Sequence, residues 1–165
     1  MRIWILLLCF VMELCAESVA GLRWTPPAGW KGEGARPMRA ATYTVDDAEC
    51  VVYFFGAGQG GGIEANVERW KGQFRQPGGK PVEVKPGKRT IHGLAVTTLD
   101  ISGEYSGMGG PMAAEKSVKP GYRLLGAILE GPGGNVFLKF TGPAKTIAAN
   151  QKKFEQLLES FDKER

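Results

Sequence analysis

Six consecutive residues, Cys50-Val51-Val52-Tyr53-Phe54-Phe55, are apolar and stand between Glu49 and Gly56. A strand turns successive side chains to opposite faces, so a run that is apolar at every position has no face to give to water. The run therefore predicts a central strand covered on both sides. The flanking sequence supplies the neighbours. Met38 to Val45 alternates, with Ala41, Tyr43 and Val45 sharing one side, and Asp46-Asp47 makes a turn into the apolar run.

Further along, Tyr122 to Glu130 and Asn135 to Phe140 read as strands joined by Gly131-Pro132-Gly133-Gly134, a hairpin by length and turn chemistry. Pro81 to Lys85 is read as a strand between Pro and Gly turns, and Arg89 to Ser102 as one long strand with Leu94, Val96 and Thr98 on one face. Two segments carry helical spacing instead. Ile63, Val67, Trp70 and Phe74 fall at i, i+4, i+7 and i+11, and a longer amphipathic stretch from Ala144 to Asp162 turns Ile147, Phe154, Leu157, Leu158 and Phe161 to one side. Thr141 or Gly142 serves as cap for the second helix, with Pro143 in its first turn. The fold class is α+β: an antiparallel or mixed sheet with a middle helix and a C-terminal amphipathic helix.

The first twenty residues are an address. Arg2 precedes the apolar run Ile3 to Met12, which Glu13 ends, the pattern of a secretory signal peptide. Ten residues reach only about 15 Å as a helix, roughly half of the hydrocarbon core. The expected domains are a signal peptide at 1–20 and a single globular domain at 21–165, with cleavage after Ala20, or alternatively after Ala16. The expected location is periplasmic or extracellular, with no membrane span after cleavage. Removing the leader takes Cys9 and Cys15 with it. Only Cys50 is left, so neither an intrachain disulfide nor a C-x-x-C site can form. At 165 residues the chain is long enough for one core without such staples.

Four stretches then carry a resemblance. Gln59 to Gly62, Asn66 to Phe74, Gly121 to Ala127 and Phe137 to Pro143 together resemble a family of uncharacterised exported bacterial proteins. The element order, with the ending Phe154-Glu155-Gln156-Leu157-Leu158-Glu159-Ser160-Phe161, is more distantly similar to the PsbP/Mog-type fold, an α/β/α sandwich. That fold group implies mostly non-catalytic accessory and binding proteins. No catalytic residue is carried over, since fold does not give function.

The residues themselves nominate two surfaces. Gly56-Ala57-Gly58-Gln59-Gly60-Gly61 matches G-x-G-x-x-G between a strand and a helix. A dinucleotide half needs repeated βαβ units, which this order lacks. The plainer reading is a turn whose glycines adopt positive φ. Between these two stands an anion site, in which Gly58, Gly60 and Gly61 present backbone N–H groups at the helix start and Asn66 and Arg69 assist. Asn66, Arg69 and Gln73 form a polar stripe, read as a solvated helix face. The second surface is a partner site. Met108 and Met112 lie in a glycine-rich loop from Gly103 to Pro120, and Trp24 and Trp30 bracket a proline-rich arm that they are expected to pack onto the body as a lid or an edge near that loop.

Other chemistry is argued against. Cys50 opens an apolar strand, the setting of an inert thiol, and His92 is the single histidine, so neither a Cys/His nucleophile nor a transition-metal site is expected. Asp46-Asp47 and Asp100 with Glu104 are carboxylate pairs of the kind any surface offers. Lys80, Lys85, Lys88 and Arg89 lack the aromatic interleaving that nucleic-acid binding requires. The reading is an exported, non-catalytic module that binds an unidentified protein or a small anionic ligand, with no cofactor, no metal and no nucleic acid. An enzyme or small-anion binder with its site at the Gly56 to Gly62 turn is the alternative.

Overall fold

The computed structural model describes residues 16–107 and 118–165. Its elements in chain order are β1 (Glu17–Val19), β2 (Leu22–Trp24), β3 (Lys31–Glu33), β4 (Arg39–Val45), β5 (Ala48–Tyr53), α1 (Ile63–Lys71), β6 (Phe74–Arg75), β7 (Gly87–Ile91), β8 (Leu94–Tyr105), β9 (Lys119–Gly131), β10 (Gly134–Pro143), α2 (Ala144–Glu159) and β11 (Asp162–Lys163). The main sheet runs β3-β4-β5-β10-β9-β8-β6, with β7 also on the outer edge of β8. A small sheet, β1-β2-β11, stands apart. Every pairing among the described residues is antiparallel, which leaves the G-x-G-x-x-G stretch without a βαβ unit around it.

The apolar run does become an interior strand, β5, between β4 and β10. Cys50 and Val52 join the core beneath α2, while Tyr53 packs with the core beneath α1. The α2 side holds Ile147, Phe154, Leu157 and Leu158 against Leu125, Ala127, Leu138 and Phe140. The α1 side holds Val67 and Trp70 against Leu99, Ile101, Leu124, Ile128 and Phe137. The result is an α/β/α sandwich. Among the described residues no helix is long and apolar enough to cross a membrane.

Several local expectations are corrected. Arg89 to Ser102 is not one strand but the β7–β8 hairpin, because His92 (φ 46) and Gly93 (φ 76) both take left-handed backbone and reverse the chain. His92 is thus a turn residue, its Nδ1 2.8 Å from the Phe161 carbonyl oxygen. Pro81 to Lys85 forms no strand; prolines on either side remove ladder donors, and the segment is anchored by buried Val82. The middle helix ends at Lys71, and Phe74 is buried from β6 instead. Thr141 and Gly142 belong to β10, so α2 begins from Pro143 with no side-chain cap.

The tryptophans do pack the proline-rich arm onto the body, but so deeply that neither is left for a partner surface. Trp24 and Trp30 are both buried in the α2-side core. Trp24 stacks on Phe161 at 5.0 Å between ring centroids, and Trp30 donates its indole N–H to Asn150 Oδ1 at 3.2 Å. Burial of both rings removes them from any recognition surface. Met108 and Met112 lie outside the described residues.

Candidate functional site

Alternation along β10 sends Val136, Leu138 and Phe140 into the α2-side core and turns Phe137 and Lys139 to the α1 side. Lys139 is therefore an amine in the middle of a covered sheet, opposite Val51 on β5 and Gly126 on β9. Its Nζ donates to Gln73 Oε1 at 2.6 Å and to the Tyr105 hydroxyl at 3.1 Å, and lies 5.2 Å from the Tyr105 ring centroid. Burial lowers its pKa to about 8; Glu49 pulls it upward, and the Arg39 guanidinium pushes it further down. Among the described residues no carboxylate lies within salt-bridge distance of Lys139 or of Arg69.

Lys139 forms part of the wall of a cavity of about 280 Å³ between α1 and the sheet. Tyr53, Phe55, Trp70 and Phe137 supply aromatic walls, Pro37 and Met38 one rim, and Arg39, Asn66, Arg69 and Gln73 the other polar groups. Tyr53 and Phe55 stack at 5.8 Å with planes 9° apart. Arg39 is already paired with Glu49 at 3.2 Å and sits over the Tyr53 ring. Trp70 reaches the sheet because β9 has a glycine beneath it: a Cβ on Gly126 would stand 2.5 Å from Trp70 Cζ3. Tyr53 and Tyr105, both flanking Lys139, have hydroxyl pKa values raised chiefly by burial.

The stripe of Asn66, Arg69 and Gln73 is solvated only at Arg69, which is exposed at the cavity rim. Asn66 is 2% and Gln73 4% exposed, because α1 lays that side over the cavity rather than over water. Asn66 donates from Nδ2 to the Gly60 and Gly62 carbonyls at 2.8 and 2.9 Å, and its Oδ1 accepts from Arg69 Nη1 at 3.1 Å. The glycine turn is thus fastened to the helix that carries Arg69.

Of the residues singled out from the sequence, Gly60, Gly61, Asn66 and Arg69 come together. Gly60 has φ 87, and a Cβ there would meet Phe55 at 2.6 Å, so the turn packs closely behind the aromatic wall. Gly61 lies beside the Asn66 and Arg69 side chains. Gly58 stands in open space with φ 69, serving the turn alone. Glu64 occupies the first turn of α1, so the partial positive charge of the helix start already has a carboxylate nearby.

Lys139, Arg39 and Tyr53 were not singled out by their sequence. One signal was present: Lys139 is the single charge in Val136-Phe137-Leu138-Lys139-Phe140, at an inward position if the sheet is covered on both faces. A second cavity, of about 220 Å³ beside α2, contains Arg89 and Glu155, which pair with each other at 2.8 Å. Cys50 is fully buried and its thiol pKa is pushed far up by burial, so its nucleophilic form is suppressed.

No protein-family model and no curated protein matches the chain. Among solved structures, it is similar to the solution structure of cyanobacterial PsbP (CyanoP) from Synechocystis, with a TM-score of 0.53 and 16% identity over 87% of each chain. A Pseudomonas aeruginosa protein of unknown function aligns with a TM-score of 0.46 at 14% identity, over 88% of this chain and 94% of its own. The first likeness establishes a PsbP-type fold and nothing of its activity.

Proposed function

We propose that the protein is an exported, non-catalytic binding module, periplasmic or extracellular, whose cavity under α1 takes a small organic anion with an aromatic or compact apolar body. The observation that carries this reading is Lys139, a half-buried amine whose hydrogen-bond partners are neutral, in a cavity shared with Arg69. Burying an ammonium is costly without a counter-charge, and a ligand carboxylate would supply one. Neutral aromatic walls would take the rest of the ligand. At about 280 Å³ the space is at the small end of ligand pockets, which fits a single-ring acid better than a nucleotide.

Thermal unfolding against benzoate, indole-carboxylate, short fatty acids and phosphate, each beside its neutral amide or alcohol where one exists, tests the reading. A ligand at 100 times its Kd adds about 2.7 kcal/mol, a shift of several degrees. The expected result is a shift with the ring-bearing acids, absent with their amides and lost in Lys139→Met and Arg69→Ala. No shift with any acid overturns the reading and favours a protein partner.

A further inference from the structure

We propose that the leader is removed between Ala16 and Glu17, so that Glu17 is the first residue of the mature protein; this rests on the export reading above. Sequence pattern alone favours the later bond, because Ser18-Val19-Ala20 offers small residues at the positions a leader peptidase reads. The fold uses those residues. Glu17–Val19 is β1, paired with β2 in the register Glu17 to Trp24, Ser18 to Arg23 and Val19 to Leu22.

Three contacts fix this hairpin to the body. Ala20 (φ 56) and Gly21 (φ 72) make its two-residue left-handed turn. The Ala20 carbonyl accepts from Gly133 N–H at 2.9 Å, in the turn between β9 and β10, and the Gly21 carbonyl accepts from Glu164 N–H at 2.9 Å. The approach at Gly133 leaves no room for a side chain, since a Cβ there would lie 2.6 Å from the Ala20 oxygen. Finally, Glu17 Oε2 accepts from the Tyr43 hydroxyl at 2.5 Å, and that hydroxyl oxygen accepts from Trp24 Nε1 at 2.7 Å. Tyr43 is 1% exposed.

Cleavage after Ala20 would leave the buried Tyr43 hydroxyl hydrogen without the acceptor it has, uncover Leu22 and Trp24 along one edge, and place a new ammonium inside the turn. Cleavage after Ala16 leaves all of these intact and keeps a small residue directly before the bond, with the larger Leu14 at the other position the peptidase reads. In the reaction, water adds across the Ala16–Glu17 peptide: the hydroxyl goes to the Ala16 carbonyl carbon and the proton to the Glu17 nitrogen. The catalyst is the host's leader peptidase.

The full chain with a C-terminal tag, produced in a Gram-negative host and recovered from the envelope and the medium, tests this by intact mass. A chain starting at Glu17 is the expected result. A chain starting at Gly21 overturns the assignment while leaving export intact, whereas an uncleaved chain overturns both. Ala16→Asn should accumulate precursor and Ala20→Asn should mature with the usual start, asparagine being tolerant of left-handed backbone; the opposite pattern overturns the proposal.

Discussion

Lys139 donates to the side-chain carbonyl of Gln73 across 2.6 Å, tying the middle of the sheet to the residue that follows the last turn of α1. The bond joins a strand and a helix whose polar groups would otherwise face an apolar cavity, and the first expected outcomes concern it.

Lys139 has a folded pKa of about 8, below its ordinary value, because burial penalises the ammonium. From about pH 8 to 10 the unfolded chain therefore holds more protons than the folded one, and stability should rise with pH by on the order of 3 kcal/mol. Within the window Cys50, and above it Tyr53 and Tyr105, work in the opposite direction because their folded pKa values are raised, so the Lys139 contribution is read as the difference from Lys139→Met. Chemical denaturation of both proteins at pH 7, 8, 9 and 10 should show that difference rise.

Ligand affinity should run the other way. A bound carboxylate favours the charged amine, so binding takes up a proton above about pH 8, and affinity should fall by up to tenfold per pH unit there. Titration calorimetry in buffers of different ionisation enthalpy reads the proton uptake directly. An affinity unchanged between pH 7 and 10 would separate Lys139 from the ligand.

Asn66→Asp should cost about 1–3 kcal/mol, since the new carboxylate cannot donate to the Gly60 and Gly62 carbonyls. It should also weaken anion binding by pairing with Arg69 beside it. Asn66→Ala should show a similar loss of stability while leaving Arg69 without its Asn66 partner, so comparing the two separates the fastening of the turn from the charge.

Gly126→Ala should destabilise by about 1–3 kcal/mol although alanine is otherwise a mild change in a strand, because its methyl must displace the Trp70 indole. Tryptophan fluorescence of the folded variant should shift relative to the parent as the ring lifts from β9.

In the chain from Glu17, Cys50 is the single cysteine, and it is fully buried with its thiol pKa raised. A maleimide should leave the native protein unlabelled and react fully once the chain is unfolded. Labelling under native conditions at a rate faster than global unfolding would contradict the packing of β5.

The sandwich was legible because its signals are periodic and local. The Cys50 to Phe55 run, the glycine hairpin and the C-terminal apolar stripe each specify an element from one short stretch of chain. The β7–β8 reversal was read through, since Gly93 was its single turn signal and a histidine at φ 46 is not a usual partner for it. At the site, Asn66 and Arg69 were visible as a stripe, yet helical spacing alone could not say whether the stripe met water or a second layer.

Composition and periodicity by themselves determined the α+β class, the doubly covered sheet and the inertness expected of Cys50. Only the tertiary structure decided that Lys139 shares a cavity with Arg69 and that residues 17–19 belong to the fold. The physical reason is distance along the chain. Alternation tells which face of its own strand a side chain takes, whereas what covers that face comes from residues tens of positions away, as Gln73 covers Lys139.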